Sequence, residues 1–287
     1  SSLGVIGEVL RASDEIDYAE FTASPRASFA AFKACQDAAA SGRITNGLVI
    51  GAEQRATAAG SPEEMNCGDG AVAIMLGANN VIAEIDAVYS YATNIVDRWR
   101  GADSDFVKEY EPRFTRDYGY KQHIIAAAGG LFEKLQAGIE DFDHVVLQQP
   151  NASMVSGVAK ALNASQDQLA HGGLINEVGD LGAASALMGL ASVLDQAEPG
   201  ERILVVSYGS GASDAIALSV TDAIAAKRGK LKPVSSYLKS SLQIEDYVAF
   251  AKMTKKINRL NAMSPMAMLG TFAASGRRLI FIDGVFY

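Results

Sequence analysis

Short apolar runs alternate with longer segments of helical spacing along the 287 residues, the layout of an α/β layered domain. Ser28 to Ala40 (SFAAFKACQDAAA) is alanine-rich with apolar positions at helical spacing, and Ser41-Gly42 stops it. Asn46-Gly47 is a turn signal, and LVIGA behind it is a short buried strand. Gly70–Gly77 (GAVAIMLG) and Val81–Tyr91 (VIAEIDAVYSY) are predicted strands joined across Asn79-Asn80. A helix is predicted over Gln122–Leu135, weakened midway by Gly129-Gly130, and a strand over His144–Gln149, ended by Pro150.

The second half repeats this order. Ala183–Gln196 (AASALMGLASVLDQ) is a small-residue helix, followed by Pro199-Gly200, the strand RILVVSYG, a glycine turn and the strand DAIALSV. Helix, tight turn, strand, loop, strand therefore occurs twice, the pattern of a duplicated α/β unit. The halves are set at residues 1–116 and 117–287 within one compact unit. Near the C-terminus, Tyr247–Leu260 reads as an amphipathic helix packed on its own domain. Arg277–Tyr287 reads as a hairpin with Asp283-Gly284 at its turn.

An apolar fraction of 49%, with 20% charged residues, is ordinary for a globular chain and excludes disorder. The net charge of −8 would repel phosphate surfaces, so no nucleic-acid partner is expected. The basic cluster Lys227, Arg228, Lys230 and Lys232, around Gly229, reads as a solvated turn. Cys35 and Cys67 are too few for a disulfide scaffold and lack CxxC spacing. No apolar stretch is long enough to span a membrane, and Ser1–Leu10 has no basic n-region. A soluble, reduced, cytoplasmic chain is expected.

GxGxxG, GxxxxGK[ST] and HExxH are all absent. Gly211-Ala212-Ser213-Asp214-Ala215 lacks the second glycine of a nucleophile elbow, and a strand follows it rather than a helix. His123, His144 and His171 form no metal spacing, so no metal is expected. The first two read as structural, whereas His171, beside Gly172-Gly173 in a loop, is placed near a ligand. Glu63 and Glu64 in SPEEM read as a helix start favoured by the dipole.

Three phrases are specific: YSYATNIVDRWRGADSDFVKEYEPRFTRDYGYKQHI, then DFDHVVLQQPN, then GERILVVSYGSGASDAIAL. In this order they resemble the 3-hydroxy-3-methylglutaryl-CoA (HMG-CoA) synthase family, in its archaeal and bacterial HMG-CoA-synthase-like branch, from about Val5 to about Leu260. The resemblance implies a thiolase fold, two similar α/β halves stacked as five layers. It also implies opening strands and a general-base glutamate ahead of Val5. The first half is therefore expected to be incomplete at its N-terminus, an unrecorded stretch, because a sheet without its first strands would expose pairing edges.

The resemblance further implies a cysteine, a histidine and an asparagine that this sequence replaces. The family cysteine precedes the first helix in an EFACKAG-like motif. Here Glu20–Ser28 reads EFTASPRAS, which puts Ser24 or Pro25 in its place. The histidine of an HQPN-like motif becomes Gln148, and the asparagine of a GNTYSG-like motif becomes Asp180. A serine hydroxyl needs an adjacent base, and glutamine cannot take a proton. Asp180 would add negative charge where a developing oxyanion needs donors. The expectation is a catalytically silent subunit of a heteromeric acyl-CoA acyltransferase/thiolase complex. By resemblance its partners are a thiolase and a DUF35 zinc-ribbon/OB-fold protein, around a homodimer core, with a CoA thioester as the only small molecule and no cofactor. Two alternatives stay open. One is a cysteine-free retro-aldol or decarboxylative enzyme using His171, Asp180 or Tyr91 as acid/base, and the other is a homodimeric acyl-CoA-binding protein.

Overall fold

The helix–strand–strand order recurs in a computed structural model of the chain, which describes residues 2–230, 232–244 and 246–256. The body Phe21–Leu242 forms one unit. In chain order it contains α1 (Ala27–Ala40), β1 (Asn46–Glu53), α2 (Pro62–Asn66), β2 (Gly70–Gly77) and β3 (Ala83–Ala92). The short strands β4 (Arg98–Trp99) and β5 (Lys108–Glu109) follow, then α3 (Gln122–Leu135), β6 (His144–Leu147) and α4 (Ala152–Leu162). Then come α5 (Ser185–Leu194), β7 (Arg202–Gly209) and β8 (Ala212–Val220), followed by short helices at Ala223–Lys227 and Val234–Lys239.

The two copies are α1–β1–β2 and α5–β7–β8, each ending in an antiparallel strand pair. The β7–β8 turn is Ser210-Gly211, with φ of +43° and +77°. A side chain at Gly211 would run into the Ile95 carbonyl, so the turn needs glycine for space as well as for φ.

A four-stranded sheet has the order β3–β8–β7–β6, with β6 parallel to β7 and the other pairs antiparallel. The period of two along β6 and β7 sorts the side chains to opposite faces. Val145, Leu147, Leu204 and Val206 pack with α3 and α4. Val146, Ile203 and Val205 face the other way, into a core shared with α1, α5, Val49 of β1 and Val72 of β2. Helices α1 and α5 thus lie between the two sheets, so the described residues build an α/β/α/β stack. The outer face of the β1–β2 pair leaves Leu48 and Met75 exposed. A bulge between Ile85 and Ala87 shifts the parity of β3, so that Ile85 joins one core and Ala87 the other.

Several local readings need correction. β2 and β3 do not form a hairpin across Asn79-Asn80, because β2 pairs with β1 and β3 with β8. Gly47 is not in a turn but inside β1, where α1 comes so close that an added Cβ would strike the Cys35 sulfur. Gly129-Gly130 does not weaken α3, which runs unbroken while Gly130 makes room for the Tyr89 ring. The basic turn is tied down at two points: Lys227 donates to the Asn80 carbonyl at 2.5 Å and Arg228 to Glu198 at 2.5 Å. Glu63 and Glu64 do lie in the first turn of α2, whose N-cap Ser61 accepts from the Glu64 amide at 3.2 Å.

The expected boundary at 116/117 falls after β3, which shares its sheet with β6, β7 and β8. Ser1–Glu20 with Gln243–Tyr287 forms a second unit, containing helices Ser2–Val9 and Tyr247–Met253. The latter helix stops short of the expected Leu260, and both residues 257–260 and the Arg277–Tyr287 hairpin lie outside the described residues. Among the described residues no helix is long and apolar enough to cross a membrane.

Gly189 in α5 makes a tight contact of a helix on the four-stranded sheet. A Cβ there would lie 2.6 Å from Val146 Cγ1 and 2.9 Å from the Gly172 carbonyl. Gly189→Ala is expected to destabilise by about 1–3 kcal/mol through overpacking. Gly129→Ala, with open space around the added Cβ, should instead stabilise by up to about 1 kcal/mol. Denaturant unfolding of the two variants checks the opposite signs.

Candidate functional site

Three chain segments meet beyond the ends of β6 and β7. They are the approach to α1, the Gln148–Asn151 segment after β6, and the Gly179–Gly182 segment before α5. They enclose a cavity of about 20 Å³ whose wall includes Pro25, Gln148 and Asp180. Two contacts fix the approach. Ser28 Oγ donates to the Ala183 carbonyl, and Glu53 accepts from the Ala183 amide at 3.0 Å.

Of the two candidates at the nucleophile position, Pro25 lines the cavity. Ser24 does not: its Oγ accepts from the Arg26 amide at 3.1 Å and lies where any Cβ on Gly209 would have to go. Proline offers neither a nucleophilic atom nor an N–H.

Gln148 is equally committed. Its Nε2 donates to the Gly182 carbonyl at 2.8 Å, and its main-chain carbonyl accepts from the Tyr120 hydroxyl at 2.5 Å. Gln149 beside it donates to the Gly172 carbonyl and accepts from the amides of Leu174 and Ile175.

Asp180 is buried, but its charge is not bare. Its Oδ2 lies 2.9 Å from Arg55 Nη1 and 3.5 Å from Arg98 Nη1, while its Oδ1 accepts from the Gly182 amide at 2.9 Å. Burial pulls the Arg55 pKa down, but the Asp180 carboxylate outweighs it and raises it overall. Arg55 Nη1 also donates to Cys67 Sγ at 3.4 Å. Burial pushes the Cys67 thiol up more than Arg55 pulls it down, so this cysteine is no stand-in thiolate.

On the far wall the Tyr208 hydroxyl donates to Asp97 Oδ2 at 2.5 Å. Burial first, and then the Asp97 charge, push the Tyr208 pKa well above the ordinary tyrosine value. Thr115 and Tyr120 reach the cavity from a single π-helical segment, Thr115–Lys121, that feeds α3. Outside lies a cleft of about 580 Å³ that shares Arg98, Met154 and Asp180 with the cavity wall. Arg55, Cys67 and Arg116 also face it.

The histidines lie elsewhere. His123 is buried, with Nδ1 donating to the Gly119 carbonyl at 2.6 Å and Nε2 2.8 Å from Thr93 Oγ1. His144 bonds Glu201 at 2.8 Å, and the exposed His171 packs edge-on against it. His171 lines neither the cavity nor the cleft. Tyr91 packs against the His123 ring and lines neither. No group of three or more metal-ligating side chains is present among the described residues.

Sequence reasoning reached Pro25, Gln148 and Asp180 through motif alignment but missed Arg55, Arg98, Cys67, Asp97, Thr115 and Tyr208. These six come from separate loops, strands and a π-helical segment without a common spacing.

Residues 132–220 match the family described as 3-oxoacyl-[acyl-carrier-protein (ACP)] synthase III, C terminal. The chain is 37% identical over 254 residues to a hydroxymethylglutaryl-CoA synthase of Methanopyrus kandleri, covering 88% of this chain and 72% of that protein. It is 37% identical to the enzyme of the same name from Methanocaldococcus jannaschii, covering 88% and 73%. Among solved structures, PksG, an HMG-CoA synthase from Bacillus subtilis, superposes with a TM-score of 0.76 at 19% identity, over 88% of this chain and 67% of that one. An HMG-CoA synthase crystallised with CoA gives 0.72 at 16% identity, over 82% of this chain and 63% of that one. The chain thus spans less than two thirds of that last structure. These likenesses carry the thiolase fold.

Asp214, read against as part of an elbow, is fully buried on β8 and bonded to Lys33 Nζ (2.5 Å), Arg26 Nη1 (2.6 Å) and Ser90 Oγ (2.6 Å). Burial pushes its carboxyl up, but the bonds from Lys33, Ser90 and Arg26 outweigh burial and hold it below its ordinary value. A depressed folded value contributes stability above the unfolded carboxylate pKa, about 3.9, and the contribution is lost as pH falls through the folded value. Asp214→Asn is expected to cost about 3 kcal/mol at neutral pH, because two mostly buried cations lose their partner. The gap to the wild type should narrow below about pH 4 in denaturant titrations run at both pH values.

Proposed function

The chain belongs to the hydroxymethylglutaryl-CoA synthase family, and from that membership we propose that it is a catalytically silent member which makes no acyl-enzyme. It would serve as a subunit of a cytoplasmic, heteromeric acyl-CoA acyltransferase/thiolase complex. One observation carries the reading: Pro25, with nothing to acylate, lines the cavity together with Gln148 and Asp180. Acyl transfer through a covalent intermediate needs a nucleophile and a neighbouring base. Here the Gln148 amide is bound to the Gly182 carbonyl and Asp180 is held by Arg55. The chain's contribution would be assembly around a homodimer core, with a thiolase and a DUF35 zinc-ribbon/OB-fold protein as partners, and without a cofactor. The cleft lies in the usual volume range of small-molecule sites and carries Arg55, Arg98 and Arg116. These features suit a CoA thioester that is held without being turned over.

The buried Tyr208–Asp97 pair favours a second reading, cysteine-free retro-aldol chemistry on a CoA thioester. On the leading reading the purified chain shows no covalent adduct by intact mass after incubation with acetyl-CoA, and no turnover of a 3-hydroxyacyl-CoA. A stoichiometric acetyl adduct overturns silence. Turnover abolished by Tyr208→Phe would move the assignment to the second reading. Untagged purification should bring down thiolase and DUF35 subunits, whereas recovery of a lone homodimer counts against the complex.

A further inference from the structure

We infer that His144, Glu201 and His171 form a proton-operated latch on the 170–174 loop, closed while at most one of the two imidazoles is charged and released when both are. The latch lies at the opening end of β6, away from the cavity, and it operates whether or not the chain is catalytically silent.

His144 opens β6 and is 8% exposed. Strand periodicity turns it, with Val146, to the face that α5 covers. Its Nε2 lies 2.8 Å from Glu201 Oε2, and that oxygen also accepts from the Glu198 amide at 2.8 Å. Because a carboxylate only accepts, this bond puts the neutral ring's proton on Nε2. Nδ1 is then a bare lone pair, buried and without a hydrogen-bond partner among the described residues. The His171 ring stands edge-on, its centroid 5.6 Å away. Burial pushes the Glu201 carboxyl up, but the Glu198 amide, the His144 bond and the charges of His144 and His171 hold it below its ordinary value. One carboxylate therefore serves two imidazoles.

The other charged groups nearby are engaged elsewhere or face water. Asp143 accepts from the Arg202 amide at 2.8 Å, and the Arg202 guanidinium lies over the Phe142 ring. Glu198 pairs with Arg228. Asp167, on the short helix Gln166–Leu169 that packs against β6, is exposed. Helix α5 carries no titratable residue. Imidazoles change charge between about pH 5 and 8. The first proton is matched by Glu201. The second completes an imidazolium pair, and in His144 it comes with an N–H at Nδ1 that has no acceptor. Repulsion between unit charges at such a separation, in near-aqueous surroundings, is worth roughly three- to tenfold in an equilibrium.

The pair holds the loop between the helices Gln166–Leu169 and Ile175–Val178. Gly172 lies directly on β6, since a Cβ there would come within 2.9 Å of Val146 Cγ2. On its other side the loop is held by Gln149, which donates to the Gly172 carbonyl and accepts from the Leu174 and Ile175 amides. When the rings part, the loop loses its contact at His171, and the segment beside Gln148 loosens with it.

Amide hydrogen exchange of the whole chain, with any subunits that accompany it, tests this at about pH 7.5 and 5.5, on either side of the imidazole range, with rates corrected for intrinsic exchange. Peptides over residues 170–176 should lose protection roughly three- to tenfold at the lower pH, while α3 keeps its protection. His171→Phe keeps a ring and removes the charge, so it should abolish the pH effect and leave protection at the higher pH unchanged. His144→Gln, which can still donate to Glu201, should do the same, and His171→Phe decides if His144→Gln does not fold. Loop protection that is equal at the two pH values overturns the inference. So does a pH effect that persists in His171→Phe, and so does an equal loss in α3, which marks general acid destabilisation.

Discussion

The buried carboxylate of Asp214 is the constraint on which the rest of the body depends. It sits on β8, in the second α/β copy, yet Arg26 and Lys33 come from the first copy and Ser90 from β3. Fully buried with two cations and a hydroxyl, it can be neither separated from its partners nor moved without leaving charge in a dry interior. That requirement fixes α1 against the four-stranded sheet. Because Arg26 directly follows Pro25, it also fixes the approach that delivers Pro25 to the cavity. The apolar core shared by α1, α5 and both sheets supplies most of the burial, but it is compatible with small slips of α1 along its axis. The ion cluster is what selects one setting.

With that setting fixed, the cavity reads as a set of polar groups that hold one another. Asp180 is the clearest case. A carboxylate in this place would be costly alone, but Arg55 and Arg98 bring two guanidiniums to it, and Glu53 and Glu109 in turn flank those. The result is a chain of alternating charge that runs from β1 to β5 around the mouth of the cavity. Such a chain holds loops together, and every carboxylate in it is engaged by a cation.

Local elements were readable wherever their cause was local. The strand Arg202–Gly209 and the helix Gln122–Leu135 begin and end where periodicity and flanking residues place them. The duplicated order was readable for the same reason. The β2–β3 hairpin failed because Asn79-Asn80 announces a turn but cannot say which strands pair across it, and the partners lie far off in sequence at β1 and β8. Gly47 and Gly130 misled in the same direction. Each is a glycine kept for the close approach of another element, Cys35 of α1 or Tyr89 of β3, and not for a turn or a break. At the site, Gln148 and Asp180 were found because family motifs surround them. Arg55 and Tyr208 were not, since their partners stand 125 and 111 residues away, and no spacing rule connects such distances.

The close packing around the cavity rests on glycine. Three backbones approach it without side chains. A Cβ on Gly119 would meet the Tyr208 hydroxyl and Asp97, one on Gly209 would meet Ser24, and one on Gly182 would meet Glu53 and Arg55. Close backbone approach narrows the space beyond the ends of β6 and β7. On the proposed reading, the proline at position 25 is one of several obstacles to acyl transfer, and the Gln148–Gly182 bond beside it is another. Geometry, charge and residue chemistry thus meet at one place, where Pro25, Gln148 and Asp180 share a wall with Tyr120 and Tyr208.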